Sequence, residues 1–287
     1  MHTTKLLQLS LLSLALLGFT GCSSIVSSAT GELANNLSRS IMSQQDPLIV
    51  EDAIPSYLLL LDAMLYSDQD NTSLLASAAV LNSSYASLFI DDKHRQRLLT
   101  AKSLDYAKRA ICILDPEYCL LQDMPFKQFE LISVSIDQHN IEEFYALGSS
   151  WAGWIQAHSD DWNAIAQLSR VELIMQRIAE IDETYQYAGS HLYLGAIASL
   201  LPPAMGGKPE LAKHHFEKAI ALSQGNNLFA KTTYAERYCR LVFDRKCHDD
   251  LLKQVIDAQP DINELNLMNA IAKQKARQLL ASADDYF

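Results

Sequence analysis

Apolar residues recur at helical spacing through most of the chain. Leu58, Leu61 and Leu65 follow at intervals of three and four, the period that gathers side chains on one face of an α-helix. A helix over about 73–89 should end before the turn Asp91-Asp92-Lys93, and another over 94–114 is stopped by Pro116. Ile165, Leu168, Val171, Met175, Ile178 and Ile181 mark a further face. Leu251, Leu252, Val255 and Ile256 mark the penultimate helix, and Leu265, Met268, Ala272, Ala276 and Leu279 the last. Ile132-Ser133-Val134-Ser135-Ile136 alternates as a strand would, but five residues among helices read as a helix end or loop. The expected fold class is all-α.

These helices come in pairs with short turns, which suggests a repeat array. Ala212, Phe216 and Ala219 stand in the A-x3-F-x2-A register of the second helix of a tetratricopeptide repeat. There small residues let two helices approach and the aromatic fills the gap between them. A weaker echo runs through Tyr106, Ala110 and Pro116. Neither holds the full repeat spacing, since Pro202 to Gly207 lengthens one turn. The expectation is an α-solenoid or helical bundle of degenerate tetratricopeptide-like pairs, a single helical repeat domain over 47–287, with a concave face suited to binding.

The first residues follow a different pattern. Lys5 precedes an apolar run from Leu6 to Phe19, too short to span a bilayer, which takes about 20 apolar residues. Charge, apolar core and small-residue exit describe a secretory signal over 1–21. Phe19-Thr20-Gly21-Cys22 resembles a bacterial lipobox, with Phe19 where Leu is usual, and marks Cys22 for lipid attachment (palmitate among its acyl chains). The polar stretch 22–46 reads as a lipidated tether with a short helix near Ile41. Ser23, rather than Asp, after the cysteine resembles the pattern that sends lipoproteins to the outer membrane, so the expected location is its periplasmic face. An ordinary secreted protein cut nearby is the alternative.

Charge narrows the partners. The net charge of −11 becomes −12 once Lys5 is removed with the signal. Nucleic-acid binding needs a basic patch to displace phosphate counterions, and none is visible. The acidic balance also disfavours adhesion to anionic lipid, so membrane contact should come from the anchor. Four cysteines remain: Cys112, Cys119, Cys239 and Cys247. In an oxidising compartment an even count supports disulfides. Local pairing, 112 with 119 and 239 with 247, is one of three connectivities and would staple each helix to its following turn. Free buried thiols are the alternative. The spacings lack any CxxC, so no metal site is expected.

Catalytic constellations are scarce. Ser150 would need Gly at 152 to sit in a nucleophile elbow, where Ala stands. Gly206-Gly207-Lys208-Pro209 lacks the hydroxyl that a phosphate loop places on magnesium. His214 and His215 point about 100° apart on a helix; His191, one helix earlier, could meet one of them. Packing or surface histidines remain the simpler reading. Asp91-Asp92, Asp160-Asp161, Asp249-Asp250 and Asp284-Asp285 read as helix caps and chain end. Aromatics offer more. Tyr145, Trp151 and Trp154, with Gly148 and Gly153 between them, are either core or part of an apolar ligand wall, which Tyr185, Tyr187 and Tyr193 could complete. Pro203, Gly206 and Gly207 lie in a turn long and mobile enough to meet a partner.

Several ordered blocks carry a family resemblance. They are Phe144-Tyr145-Ala146-Leu147-Gly148, then Trp151-Ala152-Gly153-Trp154-Ile155, then residues 191 to 228 with their Gly206-Gly207 turn and Phe216-Glu217-x-Ala219-Ile220. Tyr234-Ala235, Leu267-x-Asn269-x-Ile271-Ala272 and Ala276-x-x-Leu279-Leu280 follow. From about residue 50 onward the chain resembles the T component associated with TRAP transporters, and less distinctly over its N-terminal third. The resemblance implies a helical body with cryptic tetratricopeptide-like repeats and a periplasmic lipoprotein that partners a TRAP-type solute-binding protein. It also implies a homo-oligomer, a trimer among the forms suggested, with a cavity for hydrophobic or organic-acid ligands. No cofactor beyond the covalent lipid and no catalysis are expected. The alternatives are a non-catalytic envelope scaffold without a transport role and, at a further remove, an envelope hydrolase.

Overall fold

The computed structural model describes residues 21–287, with side chains described from residue 31. The expected signal segment lies outside the described residues but for Gly21, and so does the side chain of Cys22. Helices fill the described chain, with no strand among the described residues. In order they are α1 (Gly21–Met42), α2 (Pro47–Ser67), α3 (Thr72–Phe89), α4 (Lys93–Leu114), α5 (Phe126–Ser133), α6 (Ile141–Ala157) and α7 (Trp162–Ile165). Then come α8 (Leu168–Ile181), α9 (Tyr185–Ala198), α10 (Pro209–Leu222), α11 (Leu228–Tyr234), α12 (Arg245–Asp257), α13 (Asn266–Ala281) and α14 (Ala283–Tyr286). The alternating stretch at 132–136 ends α5 and forms the turn after it.

Short polar residues set the boundaries. The side chains of Asp46, Asn71, Asp92, Asp161, Asn227 and Asp244 each accept a backbone N–H at the start of α2, α3, α4, α7, α11 and α12. Such a cap satisfies donors that the helix itself leaves free and contributes about 1 kcal/mol. Asp249 and Asp250 do not cap a helix. They lie in the second turn of α12 and pair with Arg245 and Lys246.

The helices pack as consecutive neighbours. α3 and α4 form the most extensive pair and both cover α6. The contacts then run α6 to α8, α8 to α9, α9 to α10, α10 to α11, and α11 with α12 onto α13. Ala212, Phe216 and Ala219 are all buried, and a Cβ on Gly195 would lie 2.9 Å from the Phe216 ring, so α9 and α10 approach at a bare backbone.

The array does not end open. α13 returns to α1 and α2, and Leu267 is buried in one cluster with Val50, Ile54 and Leu58. Asn266 Nδ2 donates to the Ser43 carbonyl at 3.1 Å, and Arg39 lies 3.9 Å from Glu264. The stretch expected as a polar tether is instead the 22-residue helix α1. Ala34 is buried and its carbonyl accepts the Tyr57 hydroxyl at 2.9 Å; Leu37 and Ile41 pack on the main core. Small residues hid this face in a Ser- and Asn-rich sequence.

Candidate functional site

The aromatic residues singled out by sequence divide into separate groups. Trp151 is 1 % exposed. Its indole Nε1–H donates to Gln167 Oε1 at 2.8 Å, and its ring meets Phe129 edge-on, with centroids 6.2 Å apart. It borders a gap, lined also by Leu104, Ile111 and Leu147, too small to hold a water molecule. Trp154 is half-buried and stacks on His158 at 4.6 Å. The two tryptophans thus serve helix packing, and Gly148 and Gly153 sit against Met175 of α8 and Ser83 of α3.

Tyrosines of α6 and α9 do come together. The Tyr145 ring meets Tyr185 at 5.3 Å and Tyr193 at 6.2 Å, both edge-on, the orientation that aromatic quadrupoles favour. Burial, then the neighbouring Tyr193 and Tyr185, holds the Tyr145 hydroxyl well above its ordinary pKa. Burial pushes Tyr193 up to about 12. Both phenols therefore stay protonated at any physiological pH and present hydrogen-bond donors. The Tyr145 hydroxyl reaches the α9 backbone: a Cβ at Gly189 would stand 2.2 Å from it.

Tyr187 faces elsewhere, near Glu264 and Arg39 at the closure of the array. The reason is local. Gln186, Tyr187 and Ala188 have φ of 51°, 55° and 62°, so one turn at the start of α9 is left-handed with no glycine in it. Each such residue costs about 1–2 kcal/mol, and strain of this kind persists where surrounding contacts enforce it. Here Ala188 is buried against Ala219 and Ala230, Asn227 Nδ2 donates to the Tyr187 carbonyl at 3.3 Å, and Lys218 pairs with Glu183 at 2.7 Å. No signal in the residue types announces this turn.

The histidines are closer than a packing reading required. His191 is buried, and its Nδ1 lies 3.0 Å from Nδ1 of His215, with the rings stacked. His214 is exposed, and its ring meets His215 edge-on with centroids 5.6 Å apart. Among the described residues no group of three or more His, Cys, Asp or Glu is arranged to hold a metal.

Cys112 is joined to Cys119, and Cys239 to Cys247. The first bridge ties the end of α4 to the turn after it, and the second ties the π-helical turn at Ala235–Cys239 to the first turn of α12. The turn carrying Pro203, Gly206 and Gly207 is exposed, with Met205 at its tip. It is ordered rather than slack. Met205 and Gly207 both donate to the Pro202 carbonyl, and Lys208 N–H donates to the Ala198 carbonyl. Gly206 has φ of 91°, and a Cβ on Gly207 would lie 1.7 Å from the Leu201 oxygen, so both glycines are required by the turn itself.

An all-helical chain of hairpins, stapled by two local disulfides and closed by its terminal helices, defines the structural class. The TRAP transporter T-component family model matches residues 43–287, and the chain belongs to that family. No curated protein matches it. Membership makes the chain an accessory component of a TRAP transporter system, a family without a catalytic role.

Proposed function

We propose that the protein is a lipid-anchored periplasmic accessory component of a TRAP-type uptake system, held by acyl chains on Cys22 at the outer membrane and docking a solute-binding protein. The observation that carries this reading is the family match over 43–287. The lipobox-like Phe19-Thr20-Gly21-Cys22 supports the anchor, since two or three acyl chains suffice for stable membrane attachment. The exposed turn Pro202 to Gly207, braced by its own hydrogen bonds, supports docking: a pre-ordered loop loses little entropy on binding. The Tyr145, Tyr185 and Tyr193 corner suits contact with an apolar or organic-acid ligand, because its phenols offer donors beside aromatic faces. Association of several copies, three in the form the family suggests, belongs to the same proposal.

The test is co-purification from the native envelope with a tagged chain. Recovery of a solute-binding protein, reduced at least tenfold by Met205→Glu, is the expected outcome. Recovery of other envelope proteins and never a solute-binding subunit would favour the scaffold alternative. That alternative draws on α2, where Leu48, Ile49, Leu59, Leu60 and Tyr66 are exposed.

A further inference from the structure

We propose that His191 and His215 form a proton-operated latch on the α9–α10 hairpin: while both rings are neutral they hold the hairpin shut, and charging both releases it together with the left-handed turn at Gln186–Ala188. Two Nδ1 atoms 3.0 Å apart have room for one proton between them. One ring donates Nδ1–H and the other accepts through a bare nitrogen. The first added proton goes to the donor ring's bare Nε2 and leaves that bond in place. A second has only the acceptor's Nδ1 left to take, which sets two N–H groups and two charges face to face, and the contact must break.

The surroundings keep the closed pair neutral. Burial lowers the pKa of His191, Lys218 lowers it further, and Glu183, 3.8 Å from its Nε2, pulls it back up. Burial also lowers His215, to about 4, with His191, His214 and Lys218 acting in the same direction. These charged groups stand on the turn before α9 and on α10; α8 and α11, the other neighbours of α9, supply none of the groups acting on His215. The His191 Nε2 has no hydrogen-bond partner, so a latch opened to solvent regains a buried nitrogen as well as two ordinary imidazoles.

The sign follows from proton counting. In the open hairpin both rings titrate near about 6.5, above their closed values. The closed state is therefore fully favoured above that pH and loses ground as pH falls, until the closed pair itself takes up protons near the His215 value. With two protons bound on opening, the open-to-closed ratio rises at most about 100-fold per pH unit. The stored strain of three left-handed residues adds to the release, and the hairpin tip, Pro202 to Gly207, is freed with it. The latch operates whether or not that tip meets a partner.

Hydrogen exchange of the full chain at pH 7.5 and 5.0, corrected for intrinsic exchange, tests this. Protection over residues 183–198 should fall at least about tenfold at pH 5.0 relative to α3 and α4. The variant His191→Gln/His215→Gln should lose that pH response, and His214→Gln should keep it. Equal protection at both pH values in the wild type, or an undiminished response in the double variant, overturns the latch. Should the double variant not fold, nitrogen NMR of the wild-type imidazoles decides: the two rings must charge together with the loss of protection, and charging without it overturns the proposal.

Discussion

Gln186 is the exposed member of the left-handed turn that opens α9. Its left-handed φ of 51° costs a non-glycine residue about 1–2 kcal/mol, whereas glycine adopts it freely and pays mainly in unfolded-state entropy. Gln186→Gly should therefore stabilise the protein by about 0.5–1 kcal/mol, measured by denaturant unfolding. In a right-handed turn the same change would destabilise by about that amount, so the sign of the shift reports the hand of the turn. The meeting of Tyr145 with Tyr185 and Tyr193 follows from helical spacing plus residue type, whereas spacing alone leaves Trp151 open between core and ligand wall, and it lies in the core. Tyr187 was misplaced into that group because a left-handed turn made of Gln, Tyr and Ala leaves no mark: the tertiary contacts of Ala188 and Asn227 impose it.

Helix pairs and their staples form the next scale. α9 and α10 were legible from Ala212, Phe216 and Ala219, since small and aromatic residues at those offsets specify a close crossing. The caps were legible at Asp92 and Asp161, but Asp249 and Asp250 turned out to lie inside α12, where Asp244 takes the cap instead. Of α1 only a short helix near Ile41 is legible, because a face made of Ala34, Leu37 and Ile41 is sparse beside its serines and asparagines. The two disulfides close loops of seven and eight residues, and chain-entropy reasoning assigns each about 2–3 kcal/mol. Cys112→Ser/Cys119→Ser should lower the thermal midpoint in oxidising buffer, by about 2–4 °C per kcal/mol for a chain of this size. The wild type in reducing buffer should fall further, because both bridges open. A midpoint indifferent to reductant would mean that the staples do not constrain the unfolded chain.

The closure of the array belongs to the whole molecule, and hydrophobic pattern alone could not reveal it. Leu267 fits the apolar period of α13, yet its burial comes from Val50, Ile54 and Leu58, more than two hundred residues earlier in the chain. Leu267→Ala should cost about 2–5 kcal/mol and should raise protease cleavage in α1 as well as in α13. Cleavage confined to α13 would contradict closure. Closure also brings the end of α1 farther from Cys22, at Arg39 and Ser43, against Glu264 and Asn266 at the start of α13. The account of an anchored transport accessory meets its most direct test in native mass spectrometry of the full-length protein extracted in detergent from its own envelope. The expected spectrum shows a chain beginning at an acylated Cys22 and a larger species containing a solute-binding protein. A bare chain retaining residues 1–21, with no partner under gentle extraction, would contradict it.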